Sequence, residues 1–331
     1  MSWAILKHSN FAVLIFHNHS NMASIKNYLS LIKFSHTVFA MPFALIGFAL
    51  AVKNDTPLNL LLQNPFEFHV NGQVIYGLNP PLKFYLKIFA LILVCMVTAR
   101  SAAMAFNRYL DRNFDAQNPR TAIREIPRGI ISSQHALKFV IINCVIFILA
   151  TYFINPLCFY LSPVALLVIL FYSYTKRFTA LCHLILGLGL SLAPIGAYLA
   201  VTGSFSWLPL LFSFAVIFWV SGFDIIYALQ DEDFDKAHQL HSIPSALGKK
   251  KALKISVLLH VLSALCVIFA GWYGTFGLLY WIGAMVFTGI LIYQHSLVKP
   301  NDLSKVTLGF MTANGIASLV FALFVISDII F

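Results

Sequence analysis

The sequence predicts an all-α, polytopic membrane protein of nine transmembrane helices. Of the 331 residues, 60% are apolar and only 10% are charged, against about 25% charged in soluble domains. Mean hydropathy is +0.82. The apolar residues gather into nine runs, most of them near the ~20 residues that a bilayer span needs. Such hydrophobicity excludes intrinsic disorder. Five Cys spread over a long chain exclude a small disulfide scaffold.

The first run, Phe34–Val52, contains Pro42 and follows Lys26 and Lys33. Leu86–Phe106 is the second. Ala136–Phe153 and Phe159–Tyr174 are short and separated only by a few residues around Asn155-Pro156, which predicts a tight helical hairpin. The fifth, Leu181–Val201, carries Gly187, Gly189 and Pro194; Pro163 lies in the fourth. Such residues are tolerated in lipid because neighbouring helices satisfy the freed backbone groups. Leu208–Ile226, Leu253–Trp272, Phe276–Gln294 and Val306–Ile330 complete the set. Residues 1–21 hold an apolar run too short to span, with no small-residue cleavage site after it. They read as an N-terminal extension from a misplaced start, with Met22 as initiator, and 22–331 as a single transmembrane domain.

Net charge is +10. In a soluble chain that would suggest nucleic acid; here the cations mark topology, and no nucleic-acid partner is expected. Arg108, Arg112, Arg120, Arg124, Arg128 and Lys138 separate spans two and three. Lys176 and Arg177 follow span four, Lys236 and Lys249–Lys251 follow span six, and Lys299 and Lys305 follow span eight. The connections after spans three, five and seven have no Lys or Arg; only Lys53 and Lys83, around the longer connection Asn54–Pro81, depart from the pattern. The positive-inside rule then puts the N-terminus in the cytoplasm and the C-terminus outside.

Carboxylates are costly near lipid and usually functional. The chain has twelve, and eight lie in two segments: Asp111, Asp115 and Glu125, then Asp224, Asp231, Glu232, Asp233 and Asp235. Both segments sit at the cytoplasmic ends of spans. Asn107, Asp111 and Asp115 recur every four residues, so one helix stripe carries all three. Asp224, Asp231 and Asp235 are seven and four apart, with Tyr227 and Ala228 on the same helical face. Stacked carboxylates repel, and a divalent cation relieves them. Asp oxygens without nearby His or Cys suit Mg²⁺, which keeps waters and completes its shell with substrate phosphates. Arg120, Arg124, Arg128, Lys176 and Arg177 surround the same end and suit a diphosphate.

The two acidic segments also repeat: Asp111 to Asp231 and Asp115 to Asp235 are both separated by 120 residues. Each pair closes the second helix of a four-helix set. Two such pseudo-repeats plus one helix would place the stripes face to face at one end of a central cavity.

These residues resemble a known family. Asn107–Asp115, NRYLDRNFD, is similar to the first Asp-rich motif of the UbiA superfamily of intramembrane prenyltransferases, and Asp224–Asp235, DIIYALQDEDFD, to the second. The segments RTAIREIPRG, YSYTKRFT and HSIPSALG (His241–Gly248) resemble family segments in the same order. The likeness runs from about Lys26 to the last helix.

The resemblance implies a helical bundle around a cavity that opens to lipid, with Mg²⁺ and a polyprenyl diphosphate at the cytoplasmic end. Asn107, Asp111, Asp115, Asp224, Asp231 and Asp235 would hold the Mg²⁺–diphosphate, and Arg124, Lys176 and Arg177 would touch the diphosphate. Arg108 stands where many members have an Asp, so one acidic group is missing. The implied reaction ionises the allylic diphosphate, and an electron-rich aromatic ring attacks the resulting cation in a dry, aromatic-rich cavity. The segment Lys33–Leu45 resembles bacterial members related to 4-hydroxybenzoate polyprenyltransferase. That likeness implies quinone synthesis, ubiquinone or menaquinone, at the bacterial inner membrane, with no obligate protein partner. The acceptor is then a 4-hydroxybenzoate-type acid, or alternatively a dihydroxynaphthoate. Lys33, His36 and Arg100 are candidates for its carboxylate, and Tyr227 for orienting it; His36 also reads as a polar residue bonded to a neighbouring helix.

The five Cys lack paired spacing and read as core. His238 and His241 lie beside the second stripe without a zinc pattern, and Gly187–Gly189 sits inside a span, where small residues let helices approach. An ion-coupled transporter is the reading from a different class. Transporters place their charges near the midplane, whereas these acids lie at span ends.

Overall fold

The computed structural model describes residues 25–32, 40–55, 66–70, 73–77, 80–308 and 312–331. Among them, seven helices are long and apolar enough to cross a membrane. The expected first span is represented by the 15-residue helix α2 (Met41–Asp55), after the short α1 (Ile25–Leu31). The expected ninth is represented by the 17-residue Asn314–Ile330. At 1.5 Å per residue these two reach about 22 and 26 Å, short of the ~30 Å hydrocarbon core. Both runs extend into residues outside those described, so seven is the count of spanning-length helices among the described residues.

The connection between α2 and the next span holds the only strands among the described residues. Phe66–Val70 (β1) pairs antiparallel with Gln73–Gly77 (β2), from Phe66 opposite Gly77 to Val70 opposite Gln73. The hairpin decorates one connection of an otherwise all-helical fold. The run FEFHVNGQVIYG has an Asn-Gly dipeptide between alternating apolar residues, a strong hairpin signal.

Helix α3 (Pro80–Leu110) opens on two prolines, whose missing N–H groups cost nothing in a first turn. Its 31 residues extend about 46 Å, so its last turns project beyond a bilayer core. The short α4 (Arg112–Gln117) follows, then α5 (Ser133–Ile154), capped by Ser132. A one-residue turn at Asn155 leads into α6 (Pro156–Thr175). The Asn155 side chain accepts from Cys158 N at 2.8 Å and donates to the carbonyls of Leu199 and Ala200, tying the hairpin to α7 (Cys182–Thr202). Helix α7 ends in the left-handed residue Gly203, φ 63°.

Helix α8 (Trp207–Ala228) is apolar on all sides and central. Its Phe212, Ala215, Val216, Trp219 and Val220 are fully buried. A 3-10 turn at Leu229–Asp231, then α9 (Glu232–Ala237) and α10 (Ile243–Leu247), lead to α11 (Lys249–Tyr273), α12 (Leu278–Leu297) and α13 (Asn314–Ile330). The Asp328 carboxylate of α13 accepts from Gly277 N at 2.8 Å and Tyr280 N at 3.2 Å, supplying α12 with an N-terminal cap. The main core gathers Phe43, Phe212, Trp219, Tyr280, Phe287 and Phe321 from α2, α8, α12 and α13. Their rings pack tilted or edge-on at 5.2–6.5 Å.

Close backbone approach sets the packing of α2 on α7. A Cβ on Gly47 would lie 2.1 Å from the carbonyl oxygen of Pro194. Backbone cannot yield as a side chain does, so Gly47→Ala forces the helices apart. We expect a loss of about 1–3 kcal/mol, read as a fall in melting temperature in detergent; an unchanged temperature would contradict this packing.

Candidate active site

The first acidic segment is built on the end of α3. The helical path continues past Leu110: Asp111 N donates to Asn107 O at 2.9 Å, and Asp115 N to Asp111 O at 2.7 Å. Asn107, Asp111 and Asp115 therefore share a stripe, and Asn107 Nδ2 donates to Asp111 Oδ2 at 3.2 Å. The Asp111 side chain is 3% exposed. Two cations from the end of α6 reach it, Lys176 Nζ at 3.0 Å and Arg177 Nη2 at 3.4 Å. Arg124 Nη1 spans both oxygens of Asp115, at 2.7 and 2.8 Å.

The second segment departs from a single stripe. Asp224 lies on α8, Asp231 in the 3-10 turn and Asp235 on α9. A 3-10 turn winds tighter than 3.6 residues per turn, so the α-helical period does not carry through, and the three carboxylates meet different partners. Asp224 Oδ2 is 2.7 Å from His183 Nδ1 on α7. Asp231 is gripped by Arg120, whose Nε is 3.1 Å from Oδ1 and whose Nη2 bonds Oδ2, and it also accepts from Asn118 Nδ2 at 3.3 Å. Asp235 Oδ2 accepts from the hydroxyl of Ser242 at 2.9 Å.

The two segments converge. Asn118 and Arg120 follow the first yet hold Asp231 of the second. Lys176 bonds Asp111 and stands in the field of Asp115 and Asp235. Burial alone would lower the Lys176 pKa; the Asp111 carboxylate outweighs it and holds the ammonium above its ordinary value. Burial pushes the Asp111 carboxyl up, with Lys176 pulling against it. Burial also raises Asp235, opposed by Ser242 and Lys176.

Among the described residues, no three His, Cys, Asp or Glu side chains are grouped around a metal position. Asp111, Asp115 and Asp231 face Lys or Arg instead. The donor set is nonetheless all oxygen apart from the supporting His183, the chemistry that suits Mg²⁺. An arriving diphosphate would draw the Arg and Lys groups to itself and release the carboxylates for cations, so the residues present fit the ion.

Next to this charged end, a cavity of about 380 Å³ lies between α3, α5, α6 and α7. Its lining on α7 runs from Leu186 to Ala200, about 21 Å of helix. Among the described residues, Arg100 is the only charged lining residue, and its Nε is buried without a hydrogen-bond partner. Arg100 stands two turns below Asn107 on α3, and Tyr172 one turn below Lys176 on α6. Both helices thus lead from the cavity wall to the acidic end. The Tyr172 ring lines the cavity within the fields of Asp111, Asp224 and Arg100.

The expected acceptor group is not gathered in one place. Lys33 and His36 lie outside the described residues. Tyr227 accepts from Arg120 Nη1 at 2.8 Å and belongs to the charged end, whereas Arg100 belongs to the cavity. Sequence reasoning missed Tyr172 and His183. The spacing of Tyr172 to Lys176 was available as a signal; nothing in sequence marks His183, whose partner lies 41 residues away.

The chain is 31% identical over 238 residues to the 4-hydroxybenzoate octaprenyltransferase of Tolumonas auensis, covering 71% of this chain and 82% of that one. A UbiA homolog from Aeropyrum pernix K1, solved in its apo state, superposes with a TM-score of 0.69 at 28% identity, over 89% of this chain and 97% of that one. A UbiA homolog from Archaeoglobus fulgidus bound to DMAPP and Mg²⁺ has the same fold, with a TM-score of 0.65 at 19% identity over 92% and 99%. Residues 73–323 match the profile of the UbiA prenyltransferase family. With paired acidic segments meeting beside an apolar cavity, and with three quarters of its length matched, the chain belongs to the UbiA prenyltransferase family.

Proposed function

We propose that this enzyme transfers a polyprenyl group from a polyprenyl diphosphate to a 4-hydroxybenzoate-type aromatic acid in quinone biosynthesis, with Mg²⁺ at the acidic end. The observation that carries this reading is the junction itself: a basic and acidic cluster adjoins an apolar cavity in which Arg100 is the one charged residue among the described lining. The relative from Tolumonas auensis is named for such an acceptor, and the Archaeoglobus fulgidus homolog was solved with DMAPP and Mg²⁺.

Asn107, Asp111, Asp115, Asp224, Asp231 and Asp235 would hold Mg²⁺, which supplies neutralising charge to the diphosphate as it leaves. Arg124, Lys176 and Arg177 bind the diphosphate oxygens as the allylic C–O bond breaks and the electron pair departs with oxygen. The cavity holds the isoprenoid and keeps water from the allylic cation. Arg100 pairs with the acceptor carboxylate and fixes which ring carbon faces the cation; Lys33 and His36 are further candidates for that carboxylate. Tyr172 lines the same cavity, where an aromatic ring suits a cation, and Tyr227, through Arg120, steadies Asp231. The ring carbon forms the new C–C bond, and its proton is lost.

By the positive-inside rule, the basic segments support a reading in which the acidic end and the N-terminus lie on the cytoplasmic side of a bacterial inner membrane. We read α2 and α13, with adjoining residues, as the first and ninth spans, so that the chain is a nine-helix bundle. In it α8 packs on α11 as α3 packs on α5, as two four-helix repeats would.

Membranes containing the enzyme, supplied with a polyprenyl diphosphate, Mg²⁺ and either 4-hydroxybenzoate or a dihydroxynaphthoate, test the reading. We expect a prenylated 4-hydroxybenzoate; product from the naphthoate alone would move the assignment to the menaquinone route, and no product from either would reject it.

A further inference from the structure

Asp111, Asp115 and Asp231 are each paired with Lys or Arg. Asp224 and Asp235 are held differently, through the imidazole of His183 and the hydroxyl of Ser242. His183 is 3% exposed and Ser242 4%, so neither is a surface group that happens to lie near a carboxylate.

The two supports are one unit. Ile243 N donates to His183 Nε2 at 3.3 Å. Nδ1 of the same ring lies 2.7 Å from Asp224 Oδ2, so one imidazole bridges the Ser242–Gly248 turn and that carboxylate. Ser242, the neighbour of Ile243, puts its hydroxyl on Asp235 Oδ2. Reciprocal bonds within the Ser242–Ser245 capping box fix that turn, with Ser242 N on Ser245 Oγ at 2.8 Å and Ser245 N on Ser242 Oγ at 3.2 Å. His183 is brought to Asp224 by close packing of α7 on α8. A Cβ on Gly187, one turn along from His183, would lie 2.5 Å from both Ile217 O and Ser221 Oγ. Ser221 Oγ in turn donates to His183 O at 3.0 Å.

His183 and Ser242 each bond one oxygen, Oδ2, of their carboxylate; such a bond orients the carboxylate and leaves its other oxygen free of that partner, as outer-shell partners of metal ligands do. We propose that His183 and Ser242 are positioning residues, joined through the backbone of the Ser242–Gly248 turn, that hold Asp224 and Asp235 ready for a divalent cation. This rests on the prenyltransferase reading above and adds the residues that aim its second acidic segment.

The test reads binding apart from turnover. The full-length protein in detergent is titrated with Mg²⁺ in the presence of inorganic pyrophosphate, and the Mg²⁺ concentration giving half of the rise in melting temperature is measured. Loss of an outer-shell partner costs about 10–100-fold in metal affinity, and we expect His183→Ala to raise the half-point by that factor. His183→Asn, which retains an N–H near the Nδ1 position, should recover most of the loss. In an Asp224→Asn background, His183→Ala should add little, because its effect passes through that carboxylate. A half-point within twofold of wild type for His183→Ala, or an equal effect with and without Asp224, overturns the proposal. If His183→Ala does not fold, Ser242→Ala takes its place: a rise of about tenfold supports the proposal, and an unchanged half-point overturns it. A wild-type protein that ignores Mg²⁺ and pyrophosphate removes the underlying reading, and the proposal with it.

Discussion

Asp111→Ala and Asp231→Ala should each lower prenyl transfer by at least 10²–10³-fold, roughly the loss seen when a group that stabilises developing charge is removed, and EDTA should do the same. The two positions are chosen because they come from different acidic segments that are tied together at one end of the bundle, each through its own cations. Asp111 bonds Lys176 and Arg177, and Asp231 bonds Arg120, which follows the first segment. If diphosphate departure depends on ions held between the segments, losing either side disables both. The effect is on turnover with either acceptor, since the diphosphate end is common to both reactions. Asp111→Asn, which keeps the shape, separates chemistry from packing: it should fold like wild type and remain inactive. Substantial activity in Asp111→Ala and Asp231→Ala, measured in membranes with verified protein levels, would falsify the assignment of these carboxylates.

Arg100→Leu should raise the acceptor KM by on the order of 10²-fold, within the range for truncating one member of a buried charge pair. It should also make the unliganded protein more stable. Both expectations follow from one observation: Arg100 lines an apolar cavity, and its Nε has no hydrogen-bond partner there. A buried donor without a partner is costly, and leucine, though shorter than arginine, removes it and keeps an apolar side chain on the cavity wall. Stability given up at one residue is commonly the sign of function. If, as proposed, the charge serves the acceptor carboxylate, the variant loses acceptor affinity while diphosphate binding is spared. The measurements are KM for each substrate and the melting temperature without ligand. An unchanged acceptor KM would remove Arg100 from the acceptor site, whatever happens to stability.

Much of the fold was legible in the sequence because a bilayer imposes a local rule. A span must be apolar and must satisfy its own backbone, so hydropathy alone located the seven helices of spanning length. The tight turn between α5 and α6 was legible from Asn155-Pro156, since Asn caps and Pro begins a helix. Where the backbone leaves the α-helical period, that reading failed. The β1–β2 hairpin was absorbed into a long connection, although its Asn-Gly dipeptide was visible. The second acidic stripe was drawn as one face, although the turn at Leu229–Asp231 sends Asp224, Asp231 and Asp235 to separate partners.

Sequence by itself determined the helical membrane class, the spacing of Asn107, Asp111 and Asp115 along one stripe, and the pairing of two acidic segments with basic ones. Each of these depends on residues within a turn or two of one another, or on composition. Tertiary structure alone decided that Arg120 crosses to Asp231, that Lys176 serves Asp111 while facing Asp235, and that His183 holds Asp224. It also decided that Arg100 faces an apolar cavity. The physical reason is that such contacts join residues tens to more than a hundred positions apart. Their distances are set by how closely helices approach, as at Gly47 against Pro194 and Gly187 against Ile217, and no local period encodes that.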